Sequence, residues 1–305
     1  MEKNELSIFI KSEAERLGFA ICGIAKAEAV PAEVVGAYNS WIEEEKHGTM
    51  QYLERNCEKR FDPTELVEGC KSIVVVAMNY APQEPIEGIA AYAIGNVYHK
   101  VVKDRLFMLL NSIKAIHPIK GRAFCDSAPV LERYWAVKAG LGWIGRNRQL
   151  IIPGKGSCFF LGELLIDAEL VYDTPYTSNH CGTCRRCIEN CPTGALSDKD
   201  FDARKCLSYL TIEYRGNLPE NIGKKMGNNF YGCDCCLKAC PNYRFSTPNE
   251  TPEFKPKEEL RNMTLEKWNQ LTKEQYDMLF KDSAVERCGY EQLKRNIRAL
   301  KKDVE

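Results

Sequence analysis

Leu6, Phe9, Ile10, Ala14 and Leu17 recur at helical spacing and predict a first helix over residues 4–17, stopped at Gly18. Phe19 to Ile24 reads as a short strand. Residues 33–45 read as a second helix bearing Val34, Val35, Tyr38, Trp41 and Ile42, and His47-Gly48-Thr49-Met50 breaks the pattern. The run Ile73-Val74-Val75-Val76-Ala77-Met78 has no polar interruption, which predicts a strand covered on both faces at the centre of the core. Val101, Val102, Leu106, Leu109, Leu110 and Ile113 predict a helix over 98–116, ended by Pro118. A strand over 122–125, a helix over 130–139 and strands over 149–152 and 157–166 follow.

Strands and helices intermix through residue 170, which predicts an α/β N-terminal domain (1–170) on a mixed sheet with helices on both faces. Residues 171–250 are loop-rich with short helices and form a second domain. Residues 245–257, rich in Pro, Thr and Glu, read as an extended connection. Within a C-terminal extension (251–305), residues 265–280 and 290–300 read as helices that pack back on the main body.

Composition changes the picture in two ways. Lys and Arg (42) balance Asp and Glu (42), which argues against a broadly basic surface but leaves a local patch open. The N-terminus, MEKNELSIFIKSEAERLGF, mixes charges among its apolar residues, so neither a secretory signal nor a membrane span is expected and the protein is placed in the cytoplasm. In that compartment 15 cysteines point to metal or redox chemistry rather than to disulfides.

The cysteines are patterned. Cys181, Cys184, Cys187 and Cys191 before Pro192 read C-x2-C-x2-C-x3-C-P, the spacing by which bacterial-type ferredoxins hold [4Fe–4S] clusters, the fourth cysteine serving the neighbouring cluster. Cys233, Cys236 and Cys240 before Pro241 form a second knot that lacks its leading cysteine, and Cys206 supplies it. By the crossover rule Cys181, Cys184, Cys187 and Cys240 hold one cluster, and Cys206, Cys233, Cys236 and Cys191 the other. Cys235 competes with Cys236 by adjacency, but only Cys236 restores the spacing. A pair of four-cysteine zinc sites is the competing reading, to which the x2-x2 succession and the Cys-Pro endings are poorly suited.

Gly140-Leu141-Gly142-Trp143-Ile144-Gly145 matches the dinucleotide fingerprint, but a predicted helix precedes it and a strand follows, the reverse of what a pyrophosphate site needs. Two clusters store and relay electrons and do not by themselves transform a substrate. The loop Asp126-Ser127-Ala128-Pro129, at the C-terminal end of a strand, is where an open α/β sheet binds ligands; an ordinary helix cap is the alternative.

The strings CDSAPVLERYWAVKAGLGWIGRN, GSCFFLGELL, CGTCRRCIENCPTGAL, RKCLSYLTIEYRG and YGCDCCLKACP resemble the epoxyqueuosine reductases, cobalamin-dependent iron–sulfur enzymes of queuosine biosynthesis. The match extends through LGFAICGIAKAE, HGTMQYLERNCEKRFDP, SIVVVAMNY and YHKVVKDRL upstream and FKDSAVERCGYEQLKRNIRAL downstream, nearly the whole chain.

The resemblance implies reduction of epoxyqueuosine to queuosine at the wobble position of tRNA. Electrons would pass through the two clusters to base-off cobalamin held between an α/β domain and a ferredoxin-like domain. It implies that Asp126 is the general acid, with a pKa raised where a corrin face shields it. It further implies a corrin site lined by Arg55, Tyr98, Trp143, Asn147, Leu161 and Ser208, with no protein histidine on cobalt, His99 included. Each of these has a plain structural alternative. Val97 stands where the family often has Asp before the Tyr-His pair.

Many family members carry a further C-terminal helical-repeat domain, and this chain reads as a short form without it. The tRNA contacts are therefore expected from Lys294, Arg295, Arg298, Lys301 and Lys302, and from Arg185, Arg186, Lys224 and Lys225. Charge alone would also allow a solvated basic face. An external one-electron donor of the flavodoxin or ferredoxin class and a monomeric state are expected. The alternatives are a reductive dehalogenase-like enzyme, a pure electron carrier and a non-catalytic tRNA-binding protein.

Overall fold

The computed structural model describes residues 1–301, and for Lys301 the backbone only, so the side chains of Lys301 and Lys302 lie outside the description. The N-terminal half is organised by strand β2 (Ser72–Asn79), flanked by β1 (Ile21–Lys26) and by two later strands, β3 (Gly121–Phe124) and β6 (Phe159–Ile166). The order is β1-β2-β6-β3. Every pairing is antiparallel: Ile21 lies opposite Ala77, Met78 opposite Phe160 and Phe124 opposite Glu163. The expected mixed sheet is thus an antiparallel one.

Successive side chains of a strand point to opposite faces. Val74, Val76 and Met78 meet Leu6 and Ile10 of helix α1 (Lys3–Arg16) and Val102, Leu106 and Leu109 of α3 (Tyr98–Ile116). Ile73, Val75 and Ala77 meet Trp135 and Ala136 of α4 (Glu132–Lys138) with Leu150 and Ile152. Helix α2 (Ala32–Glu43) lies between β1 and β2 in the chain and buries none of its residues fully. Two layers of helix over one sheet explain why β2 is apolar at every core position.

Gly162 of β6 lets α3 approach: a Cβ there would stand 2.7 Å from Val102 and 2.9 Å from Leu106. Gly142 has a different use. Its missing Cβ would fall 2.1 Å from the carbonyl oxygen of Ile151, so the glycines of the G-x-G-x-x-G string shape the small hairpin β4 (Trp143–Ile144) and β5 (Leu150–Ile151).

In the cysteine-rich segment, the short helices α5 (Arg186–Glu189) and α7 (Cys235–Lys238) pack against each other. Between them α6 (Leu207–Ile212) starts directly after Cys206. A third core joins Leu207, Leu210, Phe230 and Tyr231 to Ile86, Ile89 and Ile94, and to Trp268, Phe280, Leu293 and Ile297.

The C-terminal helices therefore pack on the cysteine-rich half and on the 86–94 strap. The single helix expected over 265–280 is two, α8 (Leu265–Gln270) and α9 (Lys273–Phe280), because the Thr272 hydroxyl accepts from Gln275 N–H and caps the second. The last helix, α10 (Tyr290–Lys301), follows Gly289.

Candidate functional site

Strand β3 ends at Phe124, and two residues on Asp126 turns into the left-handed region (φ 55°). That turn lifts its carboxyl toward the first residues of α3. Tyr98 Oη donates to Asp126 Oδ2, and His99 Nε2 lies 3.0 Å from the same oxygen. Tyr98 is itself stacked between His99 and Phe160, with ring centroids 4.0 and 4.3 Å apart. The Asp126 side chain is still 49% exposed on its open side. Burial of its other side pushes the carboxyl pKa up, but hydrogen bonds from His99 and Tyr98 outweigh it and leave the pKa below the ordinary value. The raised pKa expected of this residue is thus not a property of the open cleft.

Two cavities meet at Asp126, Glu132 and Arg133. The smaller, about 260 Å³, runs from Tyr98, Phe160 and Leu161 to Ser208, Cys233 and Cys236. The larger, about 1210 Å³, is walled by Tyr38, Trp41 and Tyr52 and bears Arg55, Arg148 and Arg287. Of the residues expected around a corrin, Tyr98, Leu161 and Ser208 line the smaller cavity with Asp126, and Arg55 lines the larger.

Trp143 and Asn147 line neither cavity. Trp143 is buried beside Tyr176 and His180, and the Nδ2 of the buried Asn147 has no partner. Sequence reasoning passed over Tyr80, Tyr92, Ser157, Phe160 and Asp234 of the smaller cavity and the aromatic wall of the larger one. It also passed over Glu132 and Arg133, although both follow Asp126 within the quoted string.

The cysteines fall into two neighbourhoods. Cys187 is under the electrostatic influence of Cys181 and Cys240, and Cys236 under that of Cys206, Cys191 and Cys187. Cys191 Sγ accepts the Ala195 N–H (3.3 Å), and backbone N–H groups of Ser208 and Tyr209 reach Cys206, donors that favour thiolates. Cys235 instead sits against Cys233 and Lys238. Among the described residues no group of three or more His, Cys, Asp or Glu side chains is arranged to hold a single metal ion. Thiols in number, with backbone donors at Cys191 and Cys206, are the ligand chemistry that [4Fe–4S] clusters take. For a large cofactor in the smaller cavity, the buried and partnerless Ser157 Oγ on its wall is an unfilled polar contact.

Two of the expected tRNA contacts are turned inward. Lys294 is 8% exposed and donates to Asn269 O, and Arg295 donates to the carbonyls of Leu210, Tyr214 and Gly216. Both complete helix ends and turns of the third core, so neither presents its charge to a phosphate. Arg185, Arg186, Lys224, Lys225 and Arg298 are exposed, and Arg185 is paired with Asp198.

Residues 180–243 match the family model of the 4Fe-4S double cluster binding domain, which makes this a two-cluster iron–sulfur protein with an α/β domain ahead of the clusters. Residues 60–127 match the model described as epoxyqueuosine reductase QueG, DUF1730. An epoxyqueuosine reductase of Cyclobacterium marinum is 44% identical over 302 residues, 96% of each chain. The chain belongs to the epoxyqueuosine reductases, and it is an oxidoreductase.

Among solved structures, an epoxyqueuosine reductase with an epoxyqueuosine-modified tRNA-Tyr stem loop superimposes with a TM-score of 0.86 at 27% identity, covering 98% of this chain and 81% of that one. A Bacillus subtilis epoxyqueuosine reductase (TM-score 0.85, 26% identity, 98% of this chain and 82% of that one) was solved with an aspartate-bearing catalytic loop swung out of the active site. A reductive dehalogenase described for B12-dependent dehalogenation shares the fold alone (TM-score 0.51, 18% identity, 83% of this chain and 33% of that one). Among the described residues no helix is long and apolar enough to cross a membrane.

Proposed function

We propose that the chain reduces epoxyqueuosine to queuosine at the wobble position of tRNA, with Asp126 giving up the proton that leaves with the epoxide oxygen. Two electrons and two protons are consumed for each oxygen lost as water. The observation that carries this reading is the position of Asp126 at the junction of two cavities, one walled by Cys233 and Cys236 and the other rimmed with arginines.

Cys181, Cys184, Cys187 and Cys240 would hold one cluster, and Cys206, Cys233, Cys236 and Cys191 the other, in a ferredoxin-like arrangement. Tyr98, Leu161, Ser208 and Asp126 would hold base-off cobalamin, which would supply a reducible cobalt. Tyr98 and His99 orient the Asp126 carboxyl. Filling the cleft excludes water from its exposed half, and that further burial acts to raise its pKa, as a proton donor near neutrality needs.

The larger cavity suits the anticodon loop. Tyr38, Trp41 and Tyr52 offer faces on which unpaired bases stack, and Arg55, Arg148 and Arg287 offer charges for phosphates. The electrons would come from a flavodoxin- or ferredoxin-class donor acting on a monomer in the cytoplasm.

Asp126→Asn tests the acid. After anaerobic reconstitution the variant is expected to keep its iron and its cobalamin spectrum while the tRNA mass no longer falls by one oxygen. Retained turnover would remove Asp126 from the role.

A further inference from the structure

Beneath the Asp126 loop lie two carboxyl groups that the proposed reaction leaves unused. Glu163 sits in the middle of β6, opposite Val75 and Phe124, with 0% of its surface exposed and neither oxygen meeting a donor. Glu132, the first residue of α4, accepts the Asp126 peptide N–H on Oε1 and lies close enough to Glu163 for its charge to act on that carboxyl.

A bare charge on Glu163, with no exposed surface and no donor to either oxygen, would be buried without compensation. The surrounding charges agree. Arg133 on α4 acts on Glu132 and Asp126, and His99 on α3 acts on Asp126, whereas Glu163 is influenced chiefly by burial and by Glu132 and Asp126. Lys103 on α3 is engaged with Ser127, and Cys125 is buried and held neutral. Glu163 therefore keeps its proton.

The bond from Glu132 to the Asp126 N–H falls on the one residue of the loop that is conformationally strained, because a non-glycine residue at φ 55° persists only where its surroundings hold it. The Bacillus subtilis relative shows that an aspartate loop in this fold has a swung-out position as well. A protonated acid pair is suited to hold such a loop. It offers an acceptor to the peptide without placing a second full negative charge beside an acid that must itself change charge.

We propose that Glu132, with the buried Glu163 behind it, is a positioning residue that latches the Asp126 loop into the cleft by holding its peptide N–H. The inference rests on Asp126 being the proton donor.

The test compares the holoenzyme with its Glu132→Ala, Glu132→Gln and Asp126→Asn variants, reading kcat and KM on epoxyqueuosine-containing tRNA and amide hydrogen exchange over residues 124–130. Glu132→Ala is expected to lower kcat about 10- to 100-fold, with KM and iron content unchanged, and to speed exchange in the loop. Glu132→Gln keeps a carbonyl for the N–H and is expected to restore both.

Wild-type kcat and exchange in Glu132→Ala, or a Gln variant as impaired as the Ala one, overturns the latch. If Glu132→Ala does not assemble, loop protection kept in Glu132→Gln and lost in Glu163→Leu supports it, and the opposite pair of results overturns it. An active Asp126→Asn would remove the donor reading, and the exchange result would still decide the latch.

Discussion

At the scale of single residues, the Glu132–Glu163 pair makes folding take up protons. Burial first, then the charge of Asp126, push the Glu132 carboxyl from its ordinary 4.5 up to about 8, and burial pushes Glu163 well above its ordinary value. Unfolded, both ionise in the usual carboxylate range. Between that range and pH 8 the folded state holds protons that the unfolded chain has released, so stability falls as pH rises through this window. Thermal unfolding under anaerobic conditions is expected to show a lower Tm at pH 8 than at pH 5.5, and Glu132→Gln to flatten that slope. An equal slope in the variant would contradict the assignment.

Asp126 was legible because its motif stands at a strand end. Glu132, six positions on, was not. Nothing in a linear string says that the first turn of the next helix folds back to receive the Asp126 peptide. The inward turn of Lys294 and Arg295 was hidden for a similar reason, since the carbonyls that engage them belong to segments 25 to 85 positions away.

At the scale of elements, the sheet tolerates helix α3 only because β6 has glycine where the two touch. Gly162→Val would drive its side chain into Val102 and Leu106, and overpacking of this kind costs about 1–3 kcal/mol. A lower urea midpoint is expected, with a fall in kcat as well, because α3 carries Tyr98 and His99. An unchanged midpoint would mean that the helix moves aside freely.

The element boundaries followed the apolar periodicity closely for α1, β2 and α3, where a long stripe or an unbroken run faces a core. Strand direction did not follow from it, because an apolar run reports burial on two faces and says nothing about the sense of the neighbouring strand. The break at Thr272 was overlooked because apolar spacing continues across it, while the cap that divides α8 from α9 is polar.

At the scale of the whole molecule, charge is distributed against the balance of the composition. Arg55, Arg148 and Arg287 line the larger cavity, while Lys294 and Arg295 serve the interior. Binding of a tRNA stem loop is expected to weaken as salt rises, and Arg287→Ala or Arg148→Ala to make the slope of log affinity on log salt shallower by about one for each phosphate left without its arginine. Lys294→Met is expected to leave the slope unchanged. The reverse pattern, measured over a salt series, would return the nucleic-acid surface to the last helix.

The third core has a consequence for the order in which the protein is made. Cys206 and Cys233 rest against a wall that Trp268, Leu293 and Ile297 help to build, and those residues follow all eight cysteines along the chain. A chain carried only to residue 250 holds all eight cysteines of the two knots, but the wall behind Cys206 and Cys233 is incomplete. Iron delivered before residues 268–297 are in place would meet cysteines without their support.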